Sequence, residues 1–179
     1  MSQKTLFNQI PWYREAQIST CEVFRHLSEM TDEQLLSGDR YTMAYDTAYL
    51  CCPMIILDFD RISVCTKYQN GVQKVQVRIP FSGDPSALDV RPTNPPEQTL
   101  RGRVTKKYLE LEVTHSDSSP ESLWSAVGNQ VKLADEYYLA YIDDAVPLKA
   151  ELEQLADLWV GYRINVARES LEQPAPLAA

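Results

Sequence analysis

One segment constrains the fold more than any other: residues 61–81 alternate apolar and polar side chains around a central Asn70-Gly71 pair. These two residues tolerate the positive φ angles that a type I′ turn requires, so the segment is predicted to form a β-hairpin. A two-residue turn fixes the pairing of the strands and places Val64 opposite Val77. The predicted apolar row consists of Ile62, Val64, Thr66, Val75, Val77 and Ile79. The hairpin is therefore expected to bury one face and to expose the other.

Helical periodicity precedes the hairpin. Apolar residues recur at helical spacing over residues 12–30, which predicts a first helix. Residues 31–34 have the form of a capping box and predict the start of a second helix. A third helix fits residues 40–52 and must end or kink at Pro53, because proline has no backbone N–H to donate within a helix.

Turn-forming residues dominate the chain after the hairpin. Residues 82–102 include four prolines, and this segment fits either a short strand at 88–91 or a functional loop. Residues 104–115 alternate again and predict a third strand, with Leu109 and Leu111 on its apolar side. A sheet of three or four antiparallel strands follows, which is about the minimum for an independently stable sheet.

The last third of the chain carries two apolar stripes at helical spacing. The first stripe consists of Trp124, Val127, Val131, Ala134, Tyr138 and Tyr141, and the second of Leu148, Leu152, Leu155, Trp159, Tyr162 and Val166. Between them, Asp143-Asp144 followed by Pro147 has the form of a helix start. This pattern predicts an antiparallel helical hairpin, and a single kinked helix is the alternative.

These segments together predict an α+β fold. It has N-terminal helices, an antiparallel three- to four-stranded sheet, and a C-terminal helical hairpin packed on one sheet face. A chain of 179 residues is long enough for one domain with a substantial core. Residues 1–170 are therefore expected to form a single α+β domain, and residues 171–179 a disordered tail.

Composition limits the classes of function. The formal net charge of −8 argues against nonspecific binding to nucleic acid, which requires a basic surface. No apolar run approaches the roughly 20 residues of a membrane helix, and the first residues lack the apolar core of a signal peptide. The cysteines, which lack zinc-ligand spacing, are Cys21, Cys51, Cys52 and Cys65. We expect a cytoplasmic protein with reduced thiols, without a membrane partner or a cofactor.

An acidic motif follows the short apolar run before the hairpin. Residues 55–62 place Asp58 and Asp60 directly after this run. The motif resembles the first motif of haloacid-dehalogenase-like phosphatases, an apolar strand that ends in Asp-x-Asp. The resemblance implies that Asp58 is a nucleophile, that Asp60 is an acid/base, and that Mg²⁺ joins them. The chain departs from that family at Ile62, where a small polar residue is expected, and it lacks the family's alternating α/β pattern.

The same aspartates have a second interpretation. If the hairpin strand extends back through residue 58, both carboxylates fall on its apolar row, where desolvation is costly without a cation. If the strand begins near residue 61, they lie in a solvated turn instead.

Basic residues cluster after the hairpin, and tyrosines cluster in the C-terminal helical region. The candidate binding residues are Arg91, Arg101, Arg103, Lys106, Lys107, Tyr137, Tyr138 and Tyr141. A basic loop on an acidic protein can bind a phosphate group, an acidic partner or a second copy of the chain. Tyrosines are common at recognition surfaces, although a stripe of tyrosines on a helix also fits a core.

The leading functional hypothesis is a non-catalytic, cytosolic protein-binding or regulatory protein. An inhibitor, immunity or adaptor role, of the kind that phages and mobile elements encode, fits the small size and acidity. Its expected partner is another protein or a second copy, in a homodimer formed through the C-terminal helices. Nucleic acid is expected only through the basic loop at 91–107. The alternative is a Mg²⁺-dependent enzyme that acts on a phosphate-bearing substrate through Asp58 and Asp60.

Overall fold

The computed structural model describes residues 4–69, 72–113 and 119–172. Its helices are α1 (Trp12–Glu29), α2 (Asp32–Ser37), α3 (Arg40–Cys51) and α4 (Pro120–Glu172). Its strands are β1 (Lys4–Thr5), β2 (Ile10–Pro11), β3 (Ile55–Leu57), β4 (Ser63–Gln69), β5 (Val72–Gly83), β6 (Val90–Arg91), β7 (Arg101–Val104) and β8 (Tyr108–Val113). Short 3-10 helices lie at Phe59–Arg61 and Pro85–Asp89. The structure therefore combines helices with a largely antiparallel sheet, as the sequence predicts.

The chain divides into two compact units. The first comprises Met1–Glu15 and Pro53–Asp144, and the second comprises Ala16–Cys52 and Ala145–Ala179. Both α1 and α4 contribute residues to each unit. That residues 1–170 behave as one domain remains a prediction. The predicted tail at 171–179 lies almost wholly outside the described residues, and α4 itself continues to Glu172.

The first unit is organised around a six-stranded sheet. Its main path runs β1-β7-β8-β5-β3, and β4 also pairs with β5. All of these pairings are antiparallel, whereas β2 and β6 form a separate parallel pair. The strand β5 is long enough to pair with β4 along its first part and with β3 along its last residues. The sheet is thus larger than the three or four strands predicted.

The predicted hairpin register is confirmed. Val64 pairs with Val77 and Gln69 pairs with Val72, while the Asn70-Gly71 turn lies outside the described residues. On β5 the apolar row is buried as expected. On β4 the apolar row is less buried, and Val64 is 38% exposed. Among the described residues, β4 has a neighbouring strand on one side only.

The strand predicted at 104–115 is only partly right. Residues 101–104 form β7, the chain then turns, and β8 begins at Tyr108. The turn is closed at Thr105, whose backbone N–H donates to the carbonyl oxygen of Tyr108 at 2.9 Å. The hydroxyl of Thr105 also accepts a hydrogen bond from the N–H of Tyr108 at 3.0 Å. No glycine marks this turn, so its sequence looks like a continuing strand.

The predicted C-terminal helical hairpin is wrong, because α4 is one continuous helix of 53 residues. Asp144 does not cap a new helix; its carboxylate accepts a hydrogen bond from the backbone N–H of Thr93 at 2.7 Å. Pro147 lies inside the helix. A proline inside a helix costs about 3 kcal/mol, and the buried Tyr141, Ala145 and Leu148 on either side offset this cost by packing.

Among the described residues of the second unit, all regular secondary structure is helical. The guanidinium of Arg40 on α3 donates to both carboxylate oxygens of Asp157 on α4, each at 2.6 Å. Arg163 on α4 donates to the carbonyl oxygen of Leu27 at the end of α1 at 3.0 Å. The predicted capping box is present at the start of α2, with Thr31 as the N-cap. This unit contains α2, α3 and most of α1.

Two findings bear on the surroundings of the protein. Within the described part of the chain, no helix has the length and apolar character needed to cross a membrane. The four cysteines all lie among the described residues, and none of them forms a disulfide.

Candidate interaction surfaces

The structure places Asp58 and Asp60 in a turn between β3 and β4. Asp58 follows β3 directly, and its carboxylate forms an ion pair with Nε of Arg61 at 2.9 Å. Asp60 lies in the 3-10 helix and is exposed. Both line a concavity of about 680 Å³ together with Phe81. The break between β3 and β4 keeps the carboxylates off the apolar row, which matches the solvated-turn interpretation.

The surroundings of these aspartates differ from what the phosphatase resemblance implies. The sheet beside them is antiparallel, so the alternating α/β framework of that family is not present. Among the described residues, no group of three or more histidine, cysteine, aspartate or glutamate side chains is arranged to hold a metal ion.

Four of the predicted basic residues lie together on the β7–β8 hairpin, and we call them the basic hairpin: Arg101, Arg103, Lys106 and Lys107. All four side chains are exposed. Within the described chain, none of them forms an ion pair with a carboxylate. The fifth predicted residue, Arg91, is separate: it lies on β6, which pairs with β2.

The strands next to the basic hairpin carry charges that are already paired. Lys74 on β5 contacts Glu112 on β8 at 2.6 Å. Glu110 on β8 is only 7% exposed, and it accepts hydrogen bonds from Arg78 at 3.1 Å and from Gln76 at 2.8 Å. Strand register places Arg103 directly opposite Glu110. The two carboxylates on this side of the sheet are therefore paired with cations of β5. The arginines of β7 have no carboxylate partner among the described residues.

Two of the three predicted binding tyrosines are core residues. Tyr137 stacks on Phe7 with ring centroids 5.4 Å apart, and its hydroxyl donates to the carbonyl oxygen of Gln98 at 2.9 Å. Tyr141 is fully buried, and its hydroxyl donates to the carbonyl oxygen of Pro53. Tyr138 is half-buried against Phe59. Burial raises the pKa of Tyr137 and of Tyr138. Tyr137 and Tyr141 therefore pack in the core of the first unit, and Tyr138 remains partly accessible.

An exposed row of tyrosines lies elsewhere, on α3. Tyr41, Tyr45 and Tyr49 are all exposed, and the rings of Tyr45 and Tyr49 stack at 6.4 Å. The ammonium group of Lys149 on α4 lies 4.6 Å from the ring centre of Tyr45 and 5.3 Å from that of Tyr49. This cation–π contact ties the row to α4 within the second unit.

A larger apolar surface, which the sequence does not reveal, lies on α4 and α1 in the second unit. We call it the aromatic surface, and its members are Phe24, Leu155, Leu158, Trp159, Tyr162 and Val166. Leu158 is 69% exposed and Tyr162 is 57% exposed. Trp159 meets Phe24 edge-on at 5.5 Å and Tyr162 at 5.5 Å. Leu155, Trp159, Tyr162 and Val166 belong to the second apolar stripe predicted from the sequence, whereas Leu158 lies outside that stripe.

The core side of α4 in this unit is a different stripe. Its buried members are Ala145, Leu148, Leu152, Ala156, Val160, Ile164 and Ala167. The helix therefore has two apolar sides: one is buried, and on the other Leu158, Tyr162 and Val166 are exposed.

Comparisons with known proteins give no assignment. No protein-family model matches the chain, and neither a curated protein nor a solved structure matches it. Its function has to be inferred from its own surfaces.

Proposed function

We propose that the protein is a non-catalytic binding protein that acts through protein contacts at the aromatic surface. The observation that carries this proposal is the exposure of Leu158 and Tyr162 beside Trp159 and Phe24 on a helical unit that already has a buried core. Exposed apolar residues on a monomeric protein are usually scattered, whereas a contiguous patch marks a contact site.

The composition of the surface fits protein recognition. Aromatic side chains are enriched in the cores of protein interfaces, and tryptophan and tyrosine are the commonest energetic anchors there. Trp159 is held between Phe24 and Tyr162, so its ring is already fixed and loses little conformational freedom when a partner binds. A second copy of the chain is the first partner to test, because a patch at a twofold axis can pair with itself.

An adaptor or inhibitor role in a reducing compartment suits these features. Four cysteines without a disulfide are typical of proteins of the cytosol. We therefore propose a cytosolic location together with the binding function.

Charge insertion into the aromatic surface tests the proposal. In Leu158→Asp with Tyr162→Asp, a partner would have to desolvate two carboxylates, so association should be lost. Leu139→Asp is the matched control, because Leu139 lies on the same helix and is 54% exposed, but belongs to the first unit. Light scattering after gel filtration gives the oligomeric state of each protein, and parallel affinity columns give the partners that each retains.

The proposal is supported if the wild type and Leu139→Asp both retain a partner, either a second copy or another protein, and the double variant loses it. The proposal is wrong if the wild type is monomeric and the double variant retains the same proteins as the wild type. Circular dichroism on each variant verifies that the helices are intact.

A further inference from the structure

The basic hairpin is the main concentration of unpaired positive charge among the described residues. Its four cations lie within the segment 101–107, while the whole chain has a formal charge of −8. The positive charges on the neighbouring strand are different in kind, because Lys74 and Arg78 are bound to Glu112 and Glu110. An incoming anion therefore meets the hairpin cations without having to displace a carboxylate of the described residues.

From this arrangement we infer that the basic hairpin is a binding site for an extended acidic segment of a partner protein. This inference goes beyond the function proposed for the aromatic surface and depends on none of the same residues. Arginine presents a planar fork of donors that matches a carboxylate, and such charge-assisted bonds are stronger than neutral ones.

The spacing of the two arginines selects an extended ligand. Arg101 and Arg103 lie two residues apart on β7, so their side chains leave the same face of the strand about 7 Å apart. Acidic residues at alternate positions of an extended peptide are separated by the same distance. Lys106 and Lys107 in the adjoining turn extend the positive charge beyond the strand.

The surroundings favour carboxylates on a peptide over a nucleic-acid backbone. The basic area ends at β8, because its Glu110 and Glu112 are already paired with cations of β5. Nucleic-acid binding generally needs a continuous basic face, because affinity comes from neutralising many phosphates at once. A short acidic segment needs only the hairpin itself.

Fluorescence anisotropy at low salt tests the inference with three labelled probes. The first is a short peptide that alternates glutamate and serine, the second has the same composition with its glutamates in one block, and the third is a short oligothymidine. The proteins are the wild type, Arg101→Glu with Arg103→Glu, and Arg14→Glu with Arg168→Glu. The last pair is the matched control, because both of its arginines are exposed and each pair changes the net charge from −8 to −12.

We expect the alternating peptide to bind the wild type more tightly than the blocked peptide. The hairpin pair should weaken that binding about tenfold or more, and the control pair less than about threefold. Arg101→Gln with Arg103→Gln should weaken it in the same direction, which guards against misfolding caused by the added carboxylates.

Three results would overturn the inference. One is equal weakening by the hairpin pair and the control pair, which would mean that only the overall charge matters. Another is tighter binding of oligothymidine than of the peptide, with loss in the hairpin pair, which would make nucleic acid the ligand. The third is a wild type that does not prefer the alternating peptide to the blocked peptide, whether it binds both equally or binds neither. None of these results affects the test of the aromatic surface.

Discussion

Two glycines show how the same substitution can act in opposite directions. Gly83 has φ of +96°, and a Cβ at this position would collide with the carbonyl oxygen of Met54. That oxygen is held in place by the N–H of Asp84 at 2.7 Å. Gly128 is different: it lies in α4, is exposed, and has open space around the site of a Cβ.

We therefore expect Gly83→Ala to lower the free energy of unfolding by about 1–3 kcal/mol. Gly128→Ala should raise it by about 0.5–1 kcal/mol, because alanine loses less backbone entropy in a helix. Urea unfolding of both variants measures the two changes. Equal effects of the same sign would contradict the conformation assigned to Gly83.

A buried hydroxyl on α3 gives a second prediction. Thr47 is fully buried, and its Oγ1 has no hydrogen-bond partner among the described residues. Thr47→Val replaces that hydroxyl with a methyl group of similar size, so the free energy of unfolding should stay the same or rise by about 1 kcal/mol. Thr20→Val is the control, because the hydroxyl of Thr20 donates to the carbonyl oxygen of Ala16 at 2.8 Å. A larger loss of stability in Thr47→Val than in the control would show that the Thr47 hydroxyl has a partner.

Sequence reasoning succeeds for elements whose limits depend on residues close in the chain. The register of β4 and β5 follows from a two-residue turn. The start of α2 follows from the capping box at Thr31, and α3 ends before Pro53 because of the proline itself. Each of these signals is contained within a few positions, so no knowledge of the rest of the fold is needed.

The same reasoning fails for α4, where distant contacts decide. Asp144 resembles a helix cap in sequence, yet its carboxylate is bound to Thr93 and the helix continues. The sequence also does not indicate which side of α4 is buried, because two stripes have helical spacing. One passes through Leu158 and Tyr162, and the other through Ala156 and Val160. Periodicity cannot choose between them, and the stripe containing small residues is buried because small residues let helices approach closely.

The proline inside α4 offers a prediction at the scale of the element. Pro147 cannot donate a backbone hydrogen bond to the carbonyl of Asp143, and its ring crowds that carbonyl. Pro147→Ala should raise the free energy of unfolding by about 2 kcal/mol, which is less than the full cost of the proline because alanine also makes the unfolded chain more flexible. Val146→Ala controls for helix propensity, and it should raise the free energy of unfolding by only about 0.5 kcal/mol. Urea unfolding followed by circular dichroism compares the two, and an unchanged or lower stability in Pro147→Ala would show that the surrounding structure is adapted to the proline.

At the scale of the whole molecule, the sequence reveals the segregation of charge but not its pairing. The basic cluster is visible as a run of arginine and lysine in an acidic chain. That Lys74 and Arg78 are neutralised while Arg101 and Arg103 are not depends on the order β7-β8-β5, which places two glutamates between the two pairs. The aromatic surface likewise depends on which side of α4 the other helices cover.

Titration in alkaline solution is a property of the whole chain that follows from burial. Burial raises the pKa of Tyr137, of Tyr138 and of the Cys51 thiol, so the folded chain holds these protons more tightly than the unfolded chain does. The unfolded chain then has fewer bound protons, and the free energy of unfolding must fall as pH rises. The stability that these three groups contribute is fully present below their ordinary pKa values, which are about 8.5 for cysteine and about 10 for tyrosine. It is lost as the pH rises above those values.

Urea unfolding at about pH 7.5, 9 and 10.5 measures this dependence, and Tyr137→Phe isolates one part of it. The variant loses the hydrogen bond to the carbonyl of Gln98, so below about pH 10 it should be less stable than the wild type by about 1 kcal/mol. Its stability should nevertheless fall less steeply above about pH 10 than that of the wild type, because one buried group no longer ionises on unfolding. Tyr13→Phe is the control, since Tyr13 is 68% exposed, and it should keep the slope of the wild type. If Tyr137→Phe keeps that slope as well, the alkaline loss comes from the growing negative charge of an already acidic chain and not from its buried tyrosines.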